Sequence, residues 1–143
     1  MPRQLRPTTF DAAAAALSGA GAGGEAARIV GGVTKQGWGA HGIAPDVEIH
    51  TTVLDRIVEH NEGDLTAVLE AGLSLSRAQQ QFASAGQMLA LDPFLGDRQQ
   101  ATVGGVLATG DCGPLRHRYG APRDLVLGMT VALSDGTLAH SGS

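Results

Sequence analysis

A loop in the first third of the chain brings together residue types that can bind an anion. The segment RIVGGVTKQGWG runs from an apolar stretch into a glycine pair, followed by Thr34 and Lys35. Successive glycines lack Cβ atoms and tolerate positive φ, so backbone N–H groups can converge on an anion. Thr34 would add a hydroxyl donor and Lys35 a positive charge. An ordinary surface turn is the alternative, and this loop alone does not decide between the two.

A second glycine-rich segment has related chemistry. In ATVGGVLATGDCGPLRHRYG, Thr102 precedes Gly104 and Gly105 at the predicted start of a helix. The first turn of a helix favours anions because its amides are unpaired and the helix dipole is positive there. Two such loops, each directed by a strand or a helix, fit a diphosphate lying between two lobes. The residues alone therefore indicate a phosphate-containing ligand and do not identify it.

Common nucleotide-binding motifs do not account for these loops. The pattern G-x-G-x-x-G occurs at residues 19–24 and 37–42. Neither match follows a predicted strand and opens a helix, as a dinucleotide fingerprint requires. The glycine-lysine-serine/threonine ending of a Walker-type loop is absent. We therefore do not expect nucleoside triphosphate hydrolysis.

Composition narrows the class of protein further. The chain has 143 residues, a formal net charge of −4 and 3% aromatic residues, which argues against a nucleic-acid partner. Cys112 is the only cysteine, so an internal disulfide is excluded and a reducing, cytoplasmic location is expected. The apolar runs are too short for a membrane span. No histidine pair has metal-ligand spacing, so no metal site is predicted.

The pattern around the loops predicts an α+β domain. A helix is expected from a cap at Thr8 through the alanine run to Gly19, followed by a flexible glycine-alanine joint over residues 19–26. Short strands are predicted at residues 27–30 and 46–50, the latter with Val47 and Ile49 facing the core.

The second half of the chain is also predicted to contain both strands and helices. Residues 65–72 are expected to form a strand buried on both faces. A helix follows, with Ser74 as its N-cap, a face formed by Leu75, Ala78, Gln79, Phe82 and Ala83, and a left-handed stop at Gly86. Residues 88–91 (MLAL) are predicted as a short strand. Residues 125–142 are predicted as a hairpin that turns at Asp135-Gly136.

Together the two loops resemble the FAD-binding domain of the vanillyl-alcohol oxidase/p-cresol methylhydroxylase (PCMH-type) family, most closely the FAD-binding subunit of bacterial glycolate oxidases. The likeness extends over GGVTKQGWG, GDLTAVLEAGLSLSRAQQQFASAGQMLALDP and ATVGGVLATGDCGPLRHRYGAPRDLVLGMTVALSDGT. It implies a PCMH-type domain over residues 1–143, built from two small α/β subdomains with FAD between them. It also implies that the substrate or cap domain of the relatives is absent from this chain.

The resemblance further implies which residues bind FAD. The pyrophosphate would be wrapped by Gly31, Gly32, Val33, Thr34 and Lys35, and approached from the other side by Thr102, Gly104 and Gly105. The flavin ring would lie near Thr109, Gly113, Tyr119 and Gly120. Whether Lys35 touches phosphate stays open, and solvent exposure is the commoner outcome for a lysine. His41 is outside the matching positions, so a surface histidine is expected there rather than the flavin tether of some relatives.

The sequence departs from the family pattern at three places. Val33 replaces a glycine usual in the first loop. Asp111 stands within a triplet where asparagine-x-serine is usual, and an acidic side chain there would disfavour an anionic reduced flavin. The chain also stops at Ser143, where the relatives continue.

Two functions are consistent with these observations. The leading hypothesis is the FAD-binding portion of a flavin-dependent 2-hydroxy-acid oxidoreductase of the glycolate oxidase type, in which hydride passes to the flavin. Such a portion would be inactive alone and would act with other subunits, and we assign no catalytic residue to it. The alternative is a non-catalytic interaction or assembly module that has lost the cofactor.

Overall fold

The computed structural model describes residues 1–40 and 42–142, so His41 and Ser143 lie outside the described residues. The first half contains strand β1 (Arg3–Leu5), helix α1 (Phe10–Ala22), strand β2 (Ala27–Val30) and strand β3 (Val47–His50). The three strands form a parallel sheet in the order β1-β3-β2. Val47 and Ile49 of the central strand are fully buried, and Glu48 and His50 are half-buried. The predicted alternation of this strand is confirmed.

Helix α1 differs from the prediction at both ends. Its N-cap is Thr9 rather than Thr8, and the hydroxyl of Thr9 accepts the amide of Ala12 at 3.1 Å. The helix continues to Ala22, so the expectation of a flexible joint beginning at Gly19 is wrong. A Cβ on Gly21 would lie 3.0 Å from the carbonyl oxygen of Ser134. The small residues therefore let the C-terminal hairpin approach the helix closely.

A second region begins with an antiparallel pair, β4 (Ile57–Asn61) and β5 (Thr66–Leu69). The expectation that β5 is buried on both faces is wrong, because Ala67 and Val68 are exposed. This pair forms a sheet of two strands, and since Ala67 and Val68 are consecutive, exposed side chains lie on both of its faces.

Helix α2 (Leu75–Ser84) confirms its sequence signals. The hydroxyl of Ser74 accepts the amide of Arg77 at 3.2 Å, and Gly86 has φ 69°. Leu75, Ala78 and Phe82 are buried. Gln79 of the same face is half-buried, while Ala83 is exposed. The helix thus presents a narrower apolar face than predicted.

The predicted strand at residues 88–91 is wrong. This segment is irregular, and it is held by a side chain instead of a neighbouring strand. The amide group of Gln79 donates to the carbonyl oxygen of Leu89 at 2.5 Å and accepts from its N–H at 3.0 Å. The side-chain amide supplies the hydrogen bonds that a partner strand would otherwise supply.

The chain then forms α3 (Val103–Thr109), α4 (Arg116–Tyr119), α5 (Pro122–Leu125), β6 (Gly128–Ala132) and β7 (Leu138–Gly142). Strands β6 and β7 pair in an antiparallel hairpin, and Gly136 at its turn has φ 86°. The predicted hairpin and its turn are confirmed, as is the α+β class. None of the described helices is long and apolar enough to cross a bilayer.

Candidate functional site

The first loop, residues 31–36, begins where β2 ends. Its position is fixed by the parallel sheet, since the carbonyl oxygen of Val30 accepts the amide of Thr51 at the end of β3, at 2.9 Å. The carboxyl ends of parallel strands are the usual place for a ligand in sheets of this kind. The loop therefore leaves the sheet at an edge suited to binding.

Gly31 and Gly32 pack directly against the start of the second loop. A Cβ on Gly31 would lie 2.6 Å from the hydroxyl oxygen of Thr102, and one on Gly32 would overlap the carbonyl oxygen of Gln100. Only glycine allows the two backbones to approach this closely. The two glycine-rich loops, distant in sequence, therefore meet in space, as a shared ligand requires.

The amides of the first loop are free of protein partners. Across residues 1–40 and 42–142, no acceptor binds the N–H groups of residues 31–36. Val33 has φ 60° and its side chain is exposed. A β-branched residue in the left-handed region is a strained conformation that costs about 1–3 kcal/mol and is often found at functional sites. A left-handed residue among unpaired amides is the arrangement that forms an anion-binding concavity.

Lys35 does not point to solvent, so the expectation of an exposed lysine is wrong. Its side chain is 5% exposed and lies 3.4 Å from Oδ2 of Asp111. Its Nζ donates to the carbonyl oxygen of Phe94 at 2.8 Å and to the hydroxyl of Thr34 at 3.3 Å. The ammonium also lies 5.5 Å from the ring centre of Trp38. The lysine of the first loop is thus directed into the protein.

The start of helix α3 has no amide left for an anion among its first three residues. The N–H groups of Val103 and Gly104 donate to the carbonyl oxygens of Leu73 and Ala71, each at 2.8 Å. The N–H of Gly105 donates to the capping hydroxyl of Thr102 at 3.2 Å. The sequence argument for an anion at this helix start is therefore not supported by the geometry.

Gly104 has a packing role instead. A Cβ at this position would lie 2.8 Å from the Cβ of Ala71 and 2.9 Å from its carbonyl oxygen. The absence of a side chain lets α3 sit against the turn that precedes α2.

The four residues expected near a flavin ring lie along α3, α4 and the turns beside them. The hydroxyl of Thr109 donates to the carbonyl oxygen of Gly105 at 2.9 Å. Gly113 packs against Asp92 without room for a Cβ. Tyr119 is 36% exposed, and Gly120 has φ 90°. Their role in binding stays a prediction.

Asp111 has a role that sequence reasoning missed. Its Oδ2 accepts the amide of Phe94 at 3.0 Å, in addition to the contact with Lys35. No signal in the sequence indicated this pairing, because the second loop also contains Arg116 and Arg118, which lie nearer to Asp111 along the chain.

A groove of about 570 Å³ adjoins the first loop on the outer side of β2. It is lined by residues 26–29 together with Gln36, Ala40, Gly42, Ile43 and Pro45. The described residues of the second loop do not contribute to its walls. The groove is therefore continuous with only one of the two predicted halves of the site.

Comparison with known proteins agrees with this arrangement. Residues 3–142 match the model of a family described as FAD binding domain. D-2-hydroxyglutarate dehydrogenase of Bos taurus is 29% identical over 110 residues, which cover 77% of this chain and 20% of that protein. D-lactate dehydrogenase of Anaerostipes hadrus is 30% identical over 105 residues, covering 73% of this chain and 22% of that one. The chain thus spans about a fifth of the length of these relatives.

Solved structures share the fold at lower identity. The structure of 6-hydroxy-D-nicotine oxidase from Arthrobacter nicotinovorans matches with a TM-score of 0.79 and 17% identity, covering 99% of this chain and 31% of that one. An alkyldihydroxyacetonephosphate synthase matches with a TM-score of 0.79 and 19% identity, covering 92% of this chain and 26% of that one. The chain belongs to the FAD binding domain family, in its PCMH-type form, and FAD is its cofactor.

Proposed function

We propose that this chain is the FAD-binding portion of an oxidoreductase that acts on a 2-hydroxy acid. The observation that carries the proposal is the row of unpaired amides in residues 31–36, held beside Val33 in a strained conformation. The similar proteins named above support the substrate class, because lactate and 2-hydroxyglutarate are both 2-hydroxy acids. Glycolate, the substrate implied by the sequence resemblance, is the smallest member of this class.

In this proposal the two loops have different tasks. The amides of Gly31, Gly32, Val33 and Thr34 donate to the pyrophosphate, which carries charge that backbone N–H groups can stabilise without a counter-ion. Thr102, Gly104 and Gly105 shape the opposite wall, since their own hydrogen bonds are made within the protein. Thr109, Gly113, Tyr119 and Gly120 border the ring. When bound, FAD accepts the hydride from the hydroxyl-bearing carbon.

We expect no turnover by this chain alone, because it spans only about a fifth of the length of the dehydrogenases to which it is similar. Other polypeptide, in the same protein or in partner subunits, would supply the substrate pocket.

Incubation of the purified chain with FAD, followed by gel filtration, tests the binding. We expect flavin absorbance to co-elute with the protein, and no bleaching on addition of glycolate, D-lactate or D-2-hydroxyglutarate. A protein that elutes colourless would contradict the proposal, and bleaching would contradict the need for further polypeptide.

A second candidate is an assembly module, favoured by one surface. Leu127, Met129, Val131 and Leu133 alternate along β6 and its flanks, and each side chain is more than two-fifths exposed. A row of exposed apolar side chains on one strand marks a surface that can be covered by another element. Light scattering at high protein concentration distinguishes this candidate, since a clean monomer that binds FAD would exclude it.

A further inference from the structure

Among the ion pairs of the described residues, Lys35 and Asp111 form the one that is least exposed to solvent, and it joins the two loops. Their side chains are 5% and 15% exposed, against 60% and 44% for the ion pair of Arg77 and Asp55. The peptide of Phe94 lies between them. Its carbonyl oxygen accepts from Nζ of Lys35, and its N–H donates to Oδ2 of Asp111. Both charged groups are thus held by one stretch of backbone as well as by each other.

The ammonium of Lys35 already donates two hydrogen bonds, to the carbonyl oxygen of Phe94 at 2.8 Å and to the hydroxyl of Thr34 at 3.3 Å. Its positive charge is paired with the carboxylate of Asp111 at 3.4 Å. An ammonium group has three donors and no acceptor. To bind a phosphate, Lys35 would have to leave these partners, and the half-buried carboxylate of Asp111 would lose its counter-ion, which is unfavourable.

The pair lies at a position where it can maintain the shape of the first loop. Gly32, just before Val33, is fixed against the carbonyl of Gln100. Lys35, two residues after Val33, is held by Asp111 and by the backbone of Phe94. The strained φ of Val33 lies between these two anchors. Strain of this kind persists only where the surroundings hold it on both sides.

We propose that Lys35 and Asp111 form a buried clasp that positions the amides of the first loop, and that Lys35 is not a phosphate ligand. The consequence for FAD rests on the proposed function, whereas the clasp itself does not. Lys35 and Asp111 are positioning residues in this account. Their loss would leave the loop amides present but no longer held in one arrangement.

A double-mutant cycle tests the clasp in the absence of ligand. The variants are Lys35→Met, Asp111→Asn and the two combined, with Arg77→Met, Asp55→Asn and their combination as the exposed control pair. Hydrogen exchange is followed at the amide of Trp38, which donates to the carbonyl oxygen of Lys35 at 3.1 Å and therefore reports whether the backbone of Lys35 is held. We expect each clasp variant to speed the exchange of this amide about tenfold, with the combined variant no worse than the larger single effect, because one shared interaction is lost. The control variants should leave this amide unchanged.

FAD affinity at low and high salt separates the clasp from a direct phosphate contact. The clasp predicts that Lys35→Met and Asp111→Asn weaken binding by similar factors and leave its salt dependence unchanged. A phosphate contact predicts that Asp111→Asn leaves binding unchanged or tighter, while Lys35→Met weakens it and reduces the salt dependence. The second result, or additive exchange effects in the cycle, would overturn the proposal.

Two conservative variants separate the loss of the ion pair from general unfolding. In Asp111→Asn the side chain keeps its shape and can still accept from the N–H of Phe94. Lys35→Arg keeps the charge and should restore part of the FAD affinity lost in Lys35→Met. These two variants decide the matter if Lys35→Met does not fold. If the unsubstituted chain binds no FAD, the proposed function fails, and the exchange cycle still confirms or rejects the clasp.

Discussion

The two glycine pairs of this protein look alike in sequence and differ in their use. Gly31-Gly32 and Gly104-Gly105 each follow an apolar residue and each approach another backbone closely. The first loop leaves its amides unpaired, whereas the amides of the second pair donate within the protein. A glycine pair therefore indicates close approach, and only the destinations of its hydrogen bonds show whether a ligand can be bound.

The largest effect is expected from Gly32→Ala. The added Cβ would overlap the carbonyl oxygen of Gln100, which cannot move without disturbing the next turn. We expect a loss of about 3 kcal/mol in the free energy of unfolding and loss of FAD binding. Urea unfolding and flavin titration measure both quantities. Gly37→Ala is the matched control, because nothing lies within 4 Å of its added Cβ. Equal behaviour of the two variants would contradict the account.

Gly104→Ala sharpens the comparison. Its Cβ would press on Ala71, so we expect a loss of about 2 kcal/mol in stability. The FAD affinity of the folded protein should be unchanged, since the amide of Gly104 is engaged with Ala71 in the free protein. Stability by thermal unfolding and affinity by calorimetry are measured on the same sample. A loss of FAD affinity without a loss of stability would indicate that Gly104 contacts the ligand, and the two glycine pairs would then not differ in function.

Val33→Gly is expected to act in the opposite direction. Glycine adopts φ 60° without strain, so the variant should be more stable by about 1 kcal/mol, after the greater flexibility of glycine in the unfolded chain is subtracted. Urea unfolding measures the change. Val58→Gly, at another exposed valine, is the control and should lose stability. Destabilisation by Val33→Gly would show that the loop is not strained.

The smallest effect is expected away from both loops, at Glu70. Its pKa is lowered by hydrogen bonds and charge from Arg56. A lowered folded-state pKa stabilises the protein above the ordinary value for Glu, about 4.3. This contribution is lost as the pH falls through the folded pKa. The free energy of unfolding, measured from pH 7 to 3, should therefore fall more for the native chain than for Glu70→Gln. FAD binding at pH 7 should be the same in both. An identical dependence of the unfolding free energy on pH in the two proteins would show that the pair of Arg56 and Glu70 does not stabilise the fold.

Local signals in the sequence were sufficient for much of the fold. The caps at Ser74 and Thr102, the stop at Gly86 and the turn at Gly136 depend on neighbours a few residues away. Such interactions are visible in one stretch of sequence, so these elements were predicted correctly. The meeting of the two loops was inferred from their residues and from the family resemblance, and the packing of Gly32 on Gln100 confirms it.

Apart from the ends of α1, the main errors concern interactions between distant residues. Burial of Lys35 depends on Asp111 and on the backbone of Phe94, which no local pattern relates to it. The segment at residues 88–91 has strand-like residues, but Gln79 of a preceding helix takes the place of a partner strand. The amides of Gly104 and Val103 are engaged with carbonyls that precede α2. Periodicity and propensity carry no information on such pairings.

Amide chemical shifts in a titration of the chain with FAD test the central claim most directly. The account predicts that the N–H resonances of Gly31, Gly32, Val33 and Thr34 shift most, while those of Gly104 and Gly105 change little. ADP, which carries the same pyrophosphate, should reproduce the shifts of the first loop, and riboflavin should not. Large shifts at Gly104 and Gly105 with an unchanged first loop would contradict the account.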